Sequence, residues 1–413
     1  MAAPTPQVLF YADVSGVSDG FIILDDSYWG TLDGPGVLAG DIATDVTPEG
    51  FACTITRGRN RAIDVFSAGH TTIAFRNRDR TFDPTHVSGP YYFQLVPGKQ
   101  FDIIAGGVLI FRGVSRDWSY DYGVGTPPAS TATVQVVDGL GVLAGKELAA
   151  HTASSQPAGD RVDAVLSRSE VRFVAPHEID GGVETLQADA VAEGTNVLSY
   201  LQEVARSDQG RLFANRENVI IYRDRRTVFN TEALVTFSPD EFGIRYHGFG
   251  LEVGATFLYN RVTVTRPGGT AQVAENLDAA EENGLGVLAL TVSTLLNSDA
   301  RALILAEALL NTYTSRELRI REVVVKLEDA NISDDEKAAV LSLDFGDRVR
   351  VRFAPDGVNT DIDLYGIVEG IQHSISPGRH QVTLSLSAVD QRVYLQLDHE
   401  TYGTLDGPGV LAF

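Results

Sequence analysis

Strict alternation of apolar and polar side chains restricts this chain more than any other feature. In "DRVRVRF" (Asp347–Phe353), Val349, Val351 and Phe353 share one face, and Arg348, Arg350 and Arg352 share the other. "HQVTLSLSAV" sets Val382, Leu384 and Leu386 against Thr383, Ser385 and Ser387. "TTIAFRNR", "YNRVTVTR" and "REVVVKL" follow the same rule. A period of two with one polar face specifies antiparallel sheets whose second side meets solvent or a partner. Forty glycines supply the turns between strands.

Helical periodicity is confined to three stretches. "GDRVDAVLSRSE" aligns Val162, Val165 and Leu166, and "GTNVLSYLQEVARSDQG" aligns Val197, Leu198, Leu201, Val204 and Ala205. The second is expected to start at an Asn196 cap and stop at Gly210. "NSDARALILAEALLNTYT" is apolar nearly all round, entered at Asn297 or Ser298, and is expected to be buried against a sheet. "DYGVGTPPAS" (Asp121–Ser130) reads as a long hairpin connection. The predicted architecture is α+β, mainly β. It divides into a β domain over 1–144, a mixed helix and hairpin domain over 145–235 containing "GRLFANRENVIIYRDR", a second β domain with the long helix over 236–395, and a terminal arm over 396–413.

That arm repeats an earlier stretch. "LDDSYWGTLDGPGVLAG" (Leu24–Gly40) and "LDHETYGTLDGPGVLAF" (Leu397–Phe413) share twelve of seventeen positions. "DGPG" is a turn signal, because proline fixes φ and glycine admits positive φ. Each copy reads as an extended Leu-Asp arm, a reversal and a small apolar plug. Leu32, Asp33, Leu405, Asp406, Leu411 and Phe413 are its candidate interface residues. Abbreviated echoes occur at "DGLGVLAG" (Asp138–Gly145) and "NGLGVLAL" (Asn283–Leu290). The two full copies are either arms that dock on a neighbouring chain or caps within one subunit.

Composition excludes several classes. A single cysteine, Cys53, rules out an intrachain disulfide and a multi-cysteine metal site. No apolar run approaches the ~18 residues of a spanning helix, and the first residues lack the pattern of a secretory signal. The eight histidines are scattered, and "HEID" at 177–180 lacks the second histidine of a metal-binding helix. The acid pairs Asp25/Asp26 and Asp361/Asp363 do not supply the oxygen series of a calcium loop. No phosphate-binding glycine loop or nucleophile elbow is present. The expectation is a protein without catalytic residues, cofactor or metal. Its net charge of −22 opposes adhesion to DNA.

Against that acidity, Arg57, Arg59, Arg61, Arg76, Arg78 and Arg80 fall within 24 residues. A nucleic-acid patch would leave them unpaired, yet Asp64, Asp79 and Asp83 are interleaved. A solvated edge strand guarded by charge is a second reading. The favoured reading is a subunit interface in which arginine forks meet carboxylates.

The same block carries a resemblance. "RGRNRAIDVFSAGHTTIAFRNRDRTFDP", "SGPYYFQLVPGKQF" and "LIFRGVSRDW" resemble the N-terminal region of minor tail proteins of long-tailed phages of actinobacteria. "SYLQEVARSDQGRLFANRENVIIYRDR", "DARALILAEALLNTYTSRELRIREVVVKL" and "GDRVRVRF…VEGIQHSISPGRHQVTLSLS" extend it over about residues 50 to 390. The resemblance implies a baseplate-hub-type tail hub, with two tail-tube-like antiparallel β-barrel or sandwich domains flanking the small mixed domain. It implies a homotrimer at the distal end of the tail tube, in the virion, assembled in the host cytoplasm. Its implied partners are the distal tail protein, the tape measure protein and other tip proteins, with DNA only passing through a lumen lined by Asp and Glu. The alternatives are a hexameric distal tail protein, or a receptor-binding or cell-wall-degrading tip protein.

Overall fold

Thirteen strands join into one sheet that draws on both halves of the chain. The computed structural model describes residues 3–12, 42–47, 50–61, 64–92, 94–125, 130–171, 176–227, 232–240, 242–252, 258–278, 284, 286–314, 319–354 and 362–388. From the first part come β1 (Pro6–Ala12), β2 (Ile42–Asp45), β3 (Phe51–Gly58), β4 (Ser67–Arg76), β5 (Gln100–Ala105), β6 (Val108–Asp121) and β7 (Thr131–Val137). From the last part come β8 (Val235–Phe237), β9 (Gly248–Glu252), β10 (Arg319–Lys326), β11 (Arg348–Phe353), β12 (Ile362–Ser376) and β13 (Arg379–Ala388). The order is β9-β10-β13-β12-β3-β4-β7-β6-β5-β1-β2, and β11 pairs with β12 and with β8. The fold is α+β and mainly β, as the alternation predicts.

The two blocks meet along β12. Its first half pairs with β11 from Ile362 to Ile367, and its second half pairs with β3 from Gly370 to Ile375. The register slips between Val368 and Gly370 on the β13 side. A bulge of this kind bends a strand and re-aims a side chain, and here the bulged residue is Glu369. Gly58 faces this point with φ +93°, and a Cβ there would lie 2.3 Å from the Glu369 carbonyl oxygen. Only glycine meets both conditions.

The alternating strands largely bury the faces their patterns specify. Val349, Val351, Val382, Leu384 and Leu386 are buried, but Phe353 is only half-buried and Ser387, on the polar face, is buried where it donates to Glu369. In the first block Phe10 stacks on Phe101 at 4.8 Å, and Phe82 stacks on Phe75 at 4.5 Å. β6 ends at Asp121 and β7 begins at its antiparallel partner Thr131, as the hairpin reading requires.

Between the blocks lie three helices and short strand pairs: α1 (Gly139–Ala144), α2 (Ala158–Leu166) and α3 (Val197–Asp208). Asn196 caps α3 by accepting from the Ser199 N–H. The left-handed residue that ends α3 is Gln209, φ 55°, so the stop falls one residue before Gly210. The predicted hairpin pairs Arg211–Ala214 with Ile220–Arg223. Arg161 of α2 is buried at the centre of this region. It donates to the Tyr200 hydroxyl at 2.8 Å and to the carbonyls of Gln187, at 3.0 Å, and Ser154.

The longest helix, α4 (Asp299–Tyr313), begins at a Ser298 cap. It packs on a separate three-stranded sheet of Arg261–Thr265, Gln272–Glu275 and Ala289–Ser293, with a core of its own. Only Ala302, Leu305 and Ala306 of the helix are fully buried, and Ile304 is 55% exposed. The all-round apolar pattern therefore overstated its burial, because three short strands cover one face of a helix. A last helix, α5 (Asp334–Ser342), opens on a capping box between Ser333 and Glu336.

Candidate functional site

The six arginines separate to the two ends of one hairpin. β3 and β4 pair from Phe51↔Phe75 to Gly58↔Ser67, so Arg57, Arg59 and Arg61 gather at the turn and Arg76, Arg78 and Arg80 at the open end. The span between the groups is roughly 20 Å.

The turn group faces inward. Arg57 is 3% exposed. Its guanidinium lies 2.9 Å from Asp344 and 4.8 Å above the Phe345 ring, and donates weakly to the Ala214 carbonyl. Arg59 donates to Glu369 at 2.7 Å and to the Asp64 carbonyl at 2.8 Å, with its guanidinium 4.4 Å from the Phe66 ring centre. Arg61 forks onto Asp64 with two bonds of 2.7 Å. Beneath them three rings meet from three parts of the chain: Phe66 of the first block, Phe213 of the hairpin and Phe345 before β11. Phe66 lies 5.3 Å from each of the others, and those two are 5.6 Å apart. Arg57 and Arg59 thus fasten the blocks to each other, whereas Arg61, a third exposed, stays within its own loop. Within this chain the carboxylates that meet Arg57 and Arg59 are Asp344 and Glu369.

The open-end group is exposed. Arg80 has φ 58° and donates to Asp83 at 2.6 Å. Burial would raise the Asp83 carboxyl, but bonds from Thr85 and Arg80 outweigh it and hold the group at about 2. Arg76 and Arg78 project from the same end. The full repeats, with Leu32, Asp33, Leu405, Asp406, Leu411 and Phe413, lie outside the described residues. The echo Asp138–Gly145 is described: Asp138 caps α1 by accepting from Gly141 N, and Leu140 and Leu143 are buried. Burial lifts the Asp138 carboxyl to about 6, against the pull of the Gly141 and Gly69 N–H groups and of Arg57.

Sequence reasoning missed Glu369 and Arg211. Glu369 is fully buried at the bulge and accepts from Arg59 and, at 2.8 Å, from the Ser387 hydroxyl. Arg211 lies 3.8 Å from it. The signal was "IVEGIQ", an acid and a glycine interrupting an apolar run. Beside this group opens a cleft of about 570 Å³ between the Phe66 loop, α3 and α4. Arg59, Arg61, Arg206 and Arg211 line it, with Asp64 as its carboxylate and Phe66, Leu305 and Leu309 as apolar floor.

Other chemistry is sparse. Among the described residues no group of three or more His, Cys, Asp or Glu could hold a metal. No described helix is long and apolar enough to cross a membrane.

No family model and no curated protein matches the sequence. Solved structures do resemble it. A 43 kDa tail protein of prophage MuSo2 from Shewanella oneidensis superposes with a TM-score of 0.57 at 12% identity, over 93% of this chain and 98% of that one. A tail protein from Neisseria meningitidis MC58 gives 0.57 at 11% identity, over 93% and 97%. A chain of a PdpA–VgrG complex gives 0.50 at 8% identity, over 94% and 65%. The chain therefore has a fold shared, over nearly its whole length, with phage tail proteins.

Proposed function

We propose that this chain is a structural component of a phage tail, a hub that forms a ring at the distal end of the tail tube. The observation that carries this reading is the single thirteen-stranded sheet built from two blocks. Its terminal strands, β9 and β2, each have one partner among the described residues, β10 and β1. Unpaired strand edges invite pairing with another copy, and head-to-tail contacts that close give a ring. Two sheet blocks per chain allow three copies to present six, which would match a six-fold tube to a three-fold tip. The net charge of −22 supports a channel that DNA crosses without adhering.

On this reading the protein acts in the virion without catalysis, contacting the distal tail protein, the tape measure protein and other tip proteins. Arg76, Arg78 and Arg80 are its exposed interface cations. Native mass spectrometry of the assembled ring tests the proposal. Three chains are expected; six would favour a distal tail protein, and a monomer at all concentrations would overturn the ring.

A further inference from the structure

We propose that the arginine-lined cleft is the seat of the chain's own C-terminal repeat, Leu397–Phe413. Three observations converge on this occupant. The described chain ends beside the cleft: Ser387, next to the last residue of β13, donates to Glu369, and Glu369 is the carboxylate behind Arg59 and Arg211. Eight residues separate Ala388 from Leu397, and extended chain covers ~3.3 Å per residue, so the repeat has ample reach. The N-terminal copy is worse placed, because it follows β1, which lies five strands beyond β3 in the sheet.

Charge supplies the second argument. The cleft gathers four arginines in a chain of net charge −22. Asp64 answers Arg61 and the buried Glu369 answers Arg59 and Arg211, which leaves a net positive wall with Arg206 at its exposed edge. The repeat carries Asp398, Glu400 and Asp406 and contains no lysine or arginine. A carboxylate near the exposed Arg206 would gain a charge-assisted contact at a partly desolvated wall.

The third argument is the plug. Val65 at the cleft is 39% exposed, beside Phe66 and Leu309. The repeat ends in the apolar side chains Val410, Leu411 and Phe413. The described echo, Asp138–Gly145, has Leu140 where the repeat has Pro408; it forms the Asp138-capped helix α1 and buries Leu140 and Leu143. This inference concerns one protomer and does not depend on ring formation.

Cysteine pairing in the full-length chain tests it. Thr291 is exposed on the cleft wall, and Thr404 precedes the plug. The natural Cys53 is buried with its thiol pushed up to about 12, so it does not compete. Thr291→Cys with Thr404→Cys should form an intrachain disulfide under mild oxidation, at least tenfold faster than Val124→Cys with Thr404→Cys. Val124 is fully exposed and follows β6 at the Arg76 end of the β3–β4 hairpin, opposite the turn that borders the cleft. Adding Arg206→Glu should slow the bond several-fold at low salt. A rate no greater than the control, a bond found only between chains, or faster pairing of Thr291→Cys with Thr31→Cys would each overturn the proposal.

Discussion

Arg59 and Glu369, 310 residues apart in sequence, meet at 2.7 Å where β12 changes partner from β11 to β3. The pair is shielded: the Glu369 side chain is fully buried and that of Arg59 is 9% exposed. It therefore joins the two sheet blocks at the only place where their strands are hydrogen-bonded to each other among the described residues.

Removing one partner of a buried ion pair leaves the other charge uncompensated. Glu369→Gln should cost about 3 kcal/mol, read as a lowered urea midpoint. Adding Arg59→Met should restore part of the loss, since one of the two stranded cations is then gone while Arg211 remains. A single variant as stable as the parent would show that the pair does not hold the blocks together.

The exposed cations have the opposite profile. Arg76→Glu with Arg78→Glu should change stability by no more than about 0.5 kcal/mol, as surface substitutions do. The same variant should lose ring assembly and incorporation into tails. Normal rings from a folded double variant would remove the open end of the hairpin from the interface.

Arg161 is a different kind of buried cation, answered by carbonyls and a tyrosine hydroxyl rather than by an acid. Arg161→Met would leave the Tyr200 hydroxyl and two carbonyl oxygens without their donor. A loss of about 3 kcal/mol is expected. Hydrogen exchange should localise it to α2, α3 and their strands, with the thirteen-stranded sheet protected as before.

Two buried histidines should make stability pH-dependent. His373 Nδ1 lies 3.1 Å from His380 Nε2. Burial, the neighbouring ring and Arg57 hold His373 well below its ordinary 6.5. Burial brings His380 to about 4, although Glu328 favours its charged form. In the unfolded chain both recover ordinary values, so below about 6.5 the unfolded state binds more protons than the native one. The pair's own contribution should hold above pH 7 and fall as pH drops from 6.5 toward 4, with the raised Asp138 carboxyl acting in the opposite sense below about 6. His373→Gln with His380→Gln should flatten Tm across that window relative to the parent; parallel curves would rule the pair out as the cause.

Local rules accounted for much of this molecule. Alternation at Val349/Val351 and Val382/Leu384/Leu386 assigned the buried faces, because a strand shows successive side chains to opposite sides whatever it pairs with. The Asn196 cap was equally legible, since capping needs only an acceptor and a nearby N–H. What the sequence could not contain was partnership. Six arginines look alike along the chain, yet the fold turns Arg57 and Arg59 toward Asp344 and Glu369 and leaves Arg76 and Arg78 exposed. That division depends on a bulge about 300 residues away from the hairpin, and long-range pairing is decided by which strands become neighbours rather than by any local pattern.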